Sequence, residues 1–164
     1  MAWVGSTVTA QVVTLLSAPQ GLNDCVATLA QAVSLSAVPA GQNQIVAQNV
    51  SIELAERSGN VQYPAVSVYC EKIVNQLKEK FRNFSGKAVM TIEVRVSQDK
   101  LDGIEAQLEL YVDAATQVLD QNRGDWGEGM YYAGGYEAAL GAVKHGGQNF
   151  IQVGKVSFDV GVSD

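Results

Sequence analysis

Between Ala88 and Val96 the chain alternates without a break. Ala88, Met90, Ile92, Val94 and Val96 hold one parity, and Val89, Thr91, Glu93, Arg95 and Ser97 hold the other. A period of two is the spacing of a strand, with one face expected in a core and the other in water. A single strand has no stability in water, so this segment commits the chain to a sheet. The period then changes. From Ser97 or Asp99 a helix is predicted, with Leu101, Ile104, Leu108, Tyr111, Val112, Ala115, Val118 and Leu119 at intervals of three and four over five turns. Asn122 and Gly124 supply a left-handed stop, because glycine has no Cβ to clash at positive φ.

The remaining elements assemble around this strand and helix. Val8, Val12, Leu15 and Leu16 are at helical spacing until Pro19 and Gly21, and Leu22, Val26, Leu29 and Val33 resume it, so residues 1–40 read as a helical opening in two pieces. Asn23 or Asp24 is suited to cap the second piece, and Pro39 with Gly41 forbids its continuation. Residues 43–97 read as three strands. In the first, Val50, Ile52 and Leu54 face away from Ser51, Glu53 and Ala55. The turn residues Arg57-Ser58-Gly59-Asn60 then lead into Val66, Val68 and Cys70 as a hairpin, with Pro64 near the strand start. Glu71 to Arg82 reads as a solvated connection or a short amphipathic turn. Residues 98–122 hold the long helix, and 149–163 form a last strand in which Val156, Phe158, Val160 and Val162 alternate with Ser157, Asp159, Gly161 and Ser163. The expected fold is α/β (α+β): one domain over 1–164, with an antiparallel sheet of about four strands and helices packed on one face.

Composition narrows the function. A chain of 164 residues with 47% hydrophobic content can bury a core without disulfide or metal. Its net charge of −6 disfavours gripping a polyanion or an acidic membrane. No apolar run approaches the roughly 18 residues of a membrane span. The first basic residue is Arg57, so no secretory leader is expected and synthesis is placed in the cytoplasm. Cys25 and Cys70 lack metal or redox spacing and read as free thiols.

Reactive constellations are missing. His145 is the sole histidine, no serine or cysteine sits in a recognisable nucleophile context, and the carboxylates lack the i, i+3 or i, i+4 grouping with histidine of metal sites. No catalytic residue, cofactor or metal is therefore expected. The glycines from Gly124 to Gly135 follow a helix and lack the order of a phosphate loop, and Arg123-Gly124-Asp125 is explained by the helix stop.

The segment 124–147 is the most unusual stretch. It carries eight glycines in 24 residues, interleaved with aromatics, and reads as a long loop or an irregular hairpin. Trp126, Met130, Tyr131, Tyr132, Tyr136 and Phe150 are candidates for a subunit or partner interface. Two roles stay open for them: packing the loop onto the sheet, or anchoring a neighbouring chain.

The order of elements from Leu22 to Val162 resembles the tail terminator (tail completion) proteins of long-tailed bacteriophages. The segments Tyr63-Pro64-Ala65-Val66, Asn122-Arg123-Gly124-Asp125-Trp126-Gly127 and Lys144-His145-Gly146-Gly147-Gln148-Asn149-Phe150 are worded like small phage neck and tail proteins. The resemblance implies helices on one face of an antiparallel sheet and a homo-oligomeric, hexameric ring in the virion. That ring caps the tail tube, meets head completion or connector proteins, and passes DNA only as cargo, with no membrane involved. Alternatives are another head-tail connector or tail tube component, a monomeric binding module, or a small enzyme or ligand-binding domain centred on His145.

Overall fold

The computed structural model describes residues 3–164, apart from the side chain of Ile52. Among these residues the fold is mixed α/β, built from four α-helices and one curled sheet of eight strands. The helices are α1 (Val4–Ser17), α2 (Leu22–Ala32), α3 (Ile52–Arg57) and α4 (Ile104–Gln121). The strands are β1 (Ile45–Val46), β2 (Ala65–Asn75), β3 (Ser85–Gln98), β4 (Gly124–Gly127), β5 (Met130–Tyr132), β6 (Glu137–Leu140), β7 (Lys144–Gly146) and β8 (Asn149–Ser163).

The strand expected over 88–96 is the sheet's central element. β3 pairs antiparallel with β2 on one side and, from Ser85↔Ser163 to Gln98↔Phe150, with β8 on the other. Its apolar parity faces the core: Ala88, Met90, Ile92, Val94 and Val96 are buried against the same parity of β8 and the apolar stripe of α4. Gly154 on β8 is what lets that helix come close, since a Cβ there would sit 2.6 Å from Val112 Cγ2. Pro64 immediately precedes β2, as its missing donor favours, and both cysteines are free thiols, Cys25 buried and Cys70 half-buried.

Several expectations need correction. The sheet has eight strands, not about four, and it is mixed, because β1 runs parallel to β2 instead of forming a hairpin with it. The additional strands are two to four residues long. All but β4, which pairs with β5, take their order from a long neighbour, which a local pattern does not display. Val50, Ile52 and Leu54 do not form a strand: Ile52–Arg57 is helix α3. Ser51 caps it by accepting from the Leu54 N–H, with Glu53 in the first turn and Arg57 in the last, each suited to the helix dipole. Residues 71–75 continue β2 instead of forming a solvated connection. The long helix starts at Ile104 behind Gly103, so Leu101 lies outside it and is exposed. Its end at Asn122 comes without a left-handed residue there (φ −118°); Gly124, at φ 114°, already opens β4. Asn23 does not cap α2, whose N-cap is Gly21. Its side-chain amide instead makes two 2.8 Å bonds to the backbone of Ala40, pinning the strap that returns past the helix.

The largest departure is on the outer face of β3, which is not wet. Thr91, Glu93 and Arg95 are all buried. The segment around α3 covers them, and Arg95 Nη2 donates to the Val50 carbonyl oxygen. Arg95 Nε and Nη2 reach Glu93 Oε1 at 3.0 and 2.9 Å, the Tyr69 hydroxyl donates to Glu93 Oε2 at 3.1 Å, and the Thr91 hydroxyl donates to Glu71 at 2.8 Å. Burial first, then the charge and accepting bond of Glu93, raise the Tyr69 pKa above the ordinary phenol range.

This network gives two measurable outcomes. Arg95→Met leaves Glu93 buried without its cation and lowers stability by about 3–5 kcal/mol in chemical denaturation, and replacing Glu93 with leucine as well recovers much of the loss. A phenol whose folded pKa lies above its unfolded one contributes fully below about pH 10 and loses that contribution as pH rises further. Stability measured against pH therefore falls on the alkaline side, and less steeply in Tyr69→Phe.

Candidate functional site

The glycine- and aromatic-rich segment resolves into four short strands. β4 and β5 form a hairpin, and β5, β6 and β7 line up along the edge of β8 that β3 leaves free. The hairpin turns through Glu128 and Gly129, both at positive φ (50° and 75°), as a tight primed turn requires. Gly129 has a second reason to be glycine. Its carbonyl accepts from the Ser163 N–H at 3.0 Å, and a Cβ there would run into the Ser163 carbonyl oxygen.

Alternation along β5 divides the candidate interface residues. Met130 and Tyr132 point into the core and are buried. Tyr132 stacks at a tilt on Trp126 (centroids 5.4 Å apart), meets Phe158 edge-on at 5.6 Å, and donates its hydroxyl to the Gly135 carbonyl at 3.1 Å. The Trp126 indole N–H donates to the Asn122 carbonyl at 2.6 Å, which ties the hairpin to the end of α4, and its ring is half-buried. Trp126, Tyr132 and Phe158 thus form one aromatic chain from the hairpin into the sheet. Tyr131, of opposite parity, is 55% exposed and Tyr136 42%, so these two present the most surface to a partner. Phe150 stands apart from that chain, half-buried, with its ring edge-on to His145 at 5.6 Å.

His145 itself lies exposed on β7, opposite Phe150 in the β7–β8 pairing. No serine or cysteine is joined to it by a hydrogen bond among the described residues. Among those residues no group of three or more His, Cys, Asp or Glu is arranged to hold a metal ion, and no helix is long and apolar enough to cross a membrane. A cavity of about 730 Å³ lies between the outer sheet face and the α3 segment. Gln44, Gln48, Asn60 and Gln62 contribute to its wall, and Arg57 and Arg95 are its cations. Arg95 is already engaged by Glu93 and Val50. Sequence reading missed this cavity because its walls come from a segment expected to be a strand.

No protein-family model and no curated protein sequence matches the chain.

The hairpin's dependence on Gly129 is testable. Gly129→Ala combines a positive φ with a backbone collision and lowers stability by about 2–3 kcal/mol in thermal or chemical unfolding, whereas Tyr131→Ala, on the exposed parity, changes it by under about 0.5 kcal/mol.

Proposed function

We propose that this chain is a structural protein of a phage neck, a tail terminator that assembles as a hexameric ring, caps the tail tube and joins it to head completion or connector proteins. The observation that supports the reading most is the pair of open lateral edges on one sheet. Outward of β2, β1 pairs only with Val66 and Ser67, so the edge from Val68 to Asn75 has no strand partner among the described residues. On the opposite side, β6 pairs only with β8 among the described residues. Two different edges on one molecule suit a heterologous contact, in which one patch meets another on the next copy, and such contacts close into rings.

Two further features fit the same reading. The buried polar groups Tyr69, Glu93 and Arg95 are spent on each other and on holding the α3 segment, which leaves them no free proton acceptor for chemistry. At −6 per copy, six copies carry a formal net charge of −36. A conduit of that sign repels passing DNA from its wall over about a Debye length of 8 Å, instead of retaining it. The ring would act in the virion, with the host cytoplasm as the place of synthesis.

Light scattering on the purified protein over a wide concentration range tests this directly. A ring of six 17.4 kDa chains scatters as a particle of about 104 kDa, and electron micrographs show a central hole. A chain that remains monomeric throughout contradicts the preformed ring. His145→Ala leaves the particle unchanged; an activity lost with that substitution would favour the enzyme reading.

A further inference from the structure

The modest net charge conceals a strong segregation. Five of the eleven Lys and Arg lie between residues 72 and 87, where Glu79 is the one acid. Nine of the seventeen Asp and Glu lie between 99 and 137, where Lys100 and Arg123 are the two bases. The basic stretch starts on the β2 side and its 76–84 connection crosses the end of the sheet to the last residues of β8, while α4 and β6 lie toward the opposite edge of β8. The basic stretch covers the last four residues of β2, just beyond Glu71, and the connection from β2 to β3. The acidic stretch covers the solvent face of α4, the β4–β5 hairpin and the start of β6.

The basic side ends in a built projection. Phe81, at the tip of the 76–84 connection, is fully exposed, and Leu77 is 64% exposed. Lys78, Lys80 and Arg82 alternate around them. The base of this connection is fixed. The Asn75 side chain accepts from Leu77 N–H and Ser85 N–H and donates to the Asn83 carbonyl, the Asp164 carbonyl accepts from Asn83 and Phe84, and the Ser163 hydroxyl donates to Glu79. Both Leu77 and Phe81 are at positive φ, 47° and 70°, a conformation that costs free energy at non-glycine residues. An apolar tip ringed by cations and held at its base has the anatomy of a hot-spot anchor seeking an acidic, partly apolar surface.

The acidic side has the complementary anatomy. Glu105, Glu109 and Asp113 follow at i, i+4 and i+8 on the exposed face of α4, a helix with no Lys or Arg. None of the three is in an ion pair among the described residues, so the row repels itself. Gln107 and Tyr111 point the other way, to the carbonyls of Ser36 and Val38, while Val112 and Leu140 meet over Gly154. The row therefore lies toward β6, whose residues Glu137 to Leu140 are all exposed. Ala138, Ala139 and Leu140 offer apolar surface beside it. Lys155, opposite Ala139 in the β6–β8 pairing, belongs to the other face of the sheet, by its alternation with Gly154.

We infer that the basic, Phe81-tipped side of one copy docks on the acidic α4–β6 side of the next copy of this chain, and that this head-to-tail contact is the ring's subunit interface. The occupant is a second copy because both halves of the match are carried by one chain on opposite sides, so each copy satisfies its neighbour in the same way all round. The inference rests on the ring reading but makes a claim that reading does not require.

Charge exchange tests it. Wild-type oligomers measured by sedimentation dissociate as salt is raised. Lys78→Glu with Lys80→Glu and Arg82→Glu gives monomers, and so does Glu105→Lys with Glu109→Lys and Asp113→Lys, each retaining the wild-type circular dichroism. Mixing the two monomeric proteins restores particles of alternating composition, because each reversed side then faces its opposite sign. Phe81→Ala, at a position that packs against nothing in its own chain, weakens association by at least about tenfold. Oligomers that persist in both reversal variants, or reversal variants that fail to reassemble on mixing, overturn this interface while leaving the ring intact as a reading. A wild-type chain that never oligomerises overturns both.

Discussion

The ladder between β3 and β8 is the constraint on which the remaining structure depends. Fourteen residue pairs run in unbroken antiparallel register from Ser85↔Ser163 to Gln98↔Phe150. A slip of one residue in β8 would turn Val156 and Phe158 out of the core that Ile92 and Val94 still face, so the hydrophobic pattern locks the pairing. The other large elements build outward from these two strands. β2 adds to β3, the short strands β5, β6 and β7 divide the far edge of β8, and α4 settles on the apolar face where Gly154 removes the obstruction. The ends of the ladder also anchor the loops: Asp164 and Phe84 bond to each other through their backbones, which fixes the root of the β2–β3 connection.

What was legible in the residues follows from how local each cause is. The alternation of Ala88 to Val96 and the spacing from Ile104 to Leu119 are each enforced by one large apolar surface, and both elements stand where the pattern puts them. At Val50, Ile52 and Leu54 a three-point alternation coincided with a run of good helix formers, Glu53, Leu54, Ala55, Glu56 and Arg57. In so short a segment the Ser51 cap decided the outcome. β6 and β7 had no legible pattern, because three or four exposed residues become strand only by borrowing the free edge of β8. The aromatics around Tyr132 were visible as a group, but their division between core and surface depended on the parity of a three-residue strand that sequence alone did not reveal.

The outer face of β3 shows a different kind of non-local cause. Thr91, Glu93 and Arg95 have the side chains of a solvated face, and the alternation correctly assigns them to the side opposite the core. They are buried because a segment some forty residues upstream folds over them and is tied down through the Val50 carbonyl. A buried ion pair of this type adds little net stability over well-packed apolar residues, because desolvation offsets much of the Coulomb gain. Its directional bonds do fix where the covering segment lies, which an apolar patch would fix less sharply.

That covering has a consequence for assembly in the proposed ring. With α1 and α4 against the inner face, α2 packed on α4, and the α3 segment over part of the outer face, neither face of the sheet is free along its whole length to stack on another copy. The exposed backbone of a sheet edge is the surface most prone to self-association, and soluble proteins usually guard it with charge. Here the guards differ in sign: lysines and Arg82 stand along and beyond the β2 edge, and Glu137 with the α4 row stands at the β6 edge. Like edges then repel, so a two-fold contact of β2 with β2 or of β6 with β6 is disfavoured, and unlike edges attract. In the proposed ring, charge that ordinarily keeps edges apart would select one polar direction of growth, the direction ring closure needs.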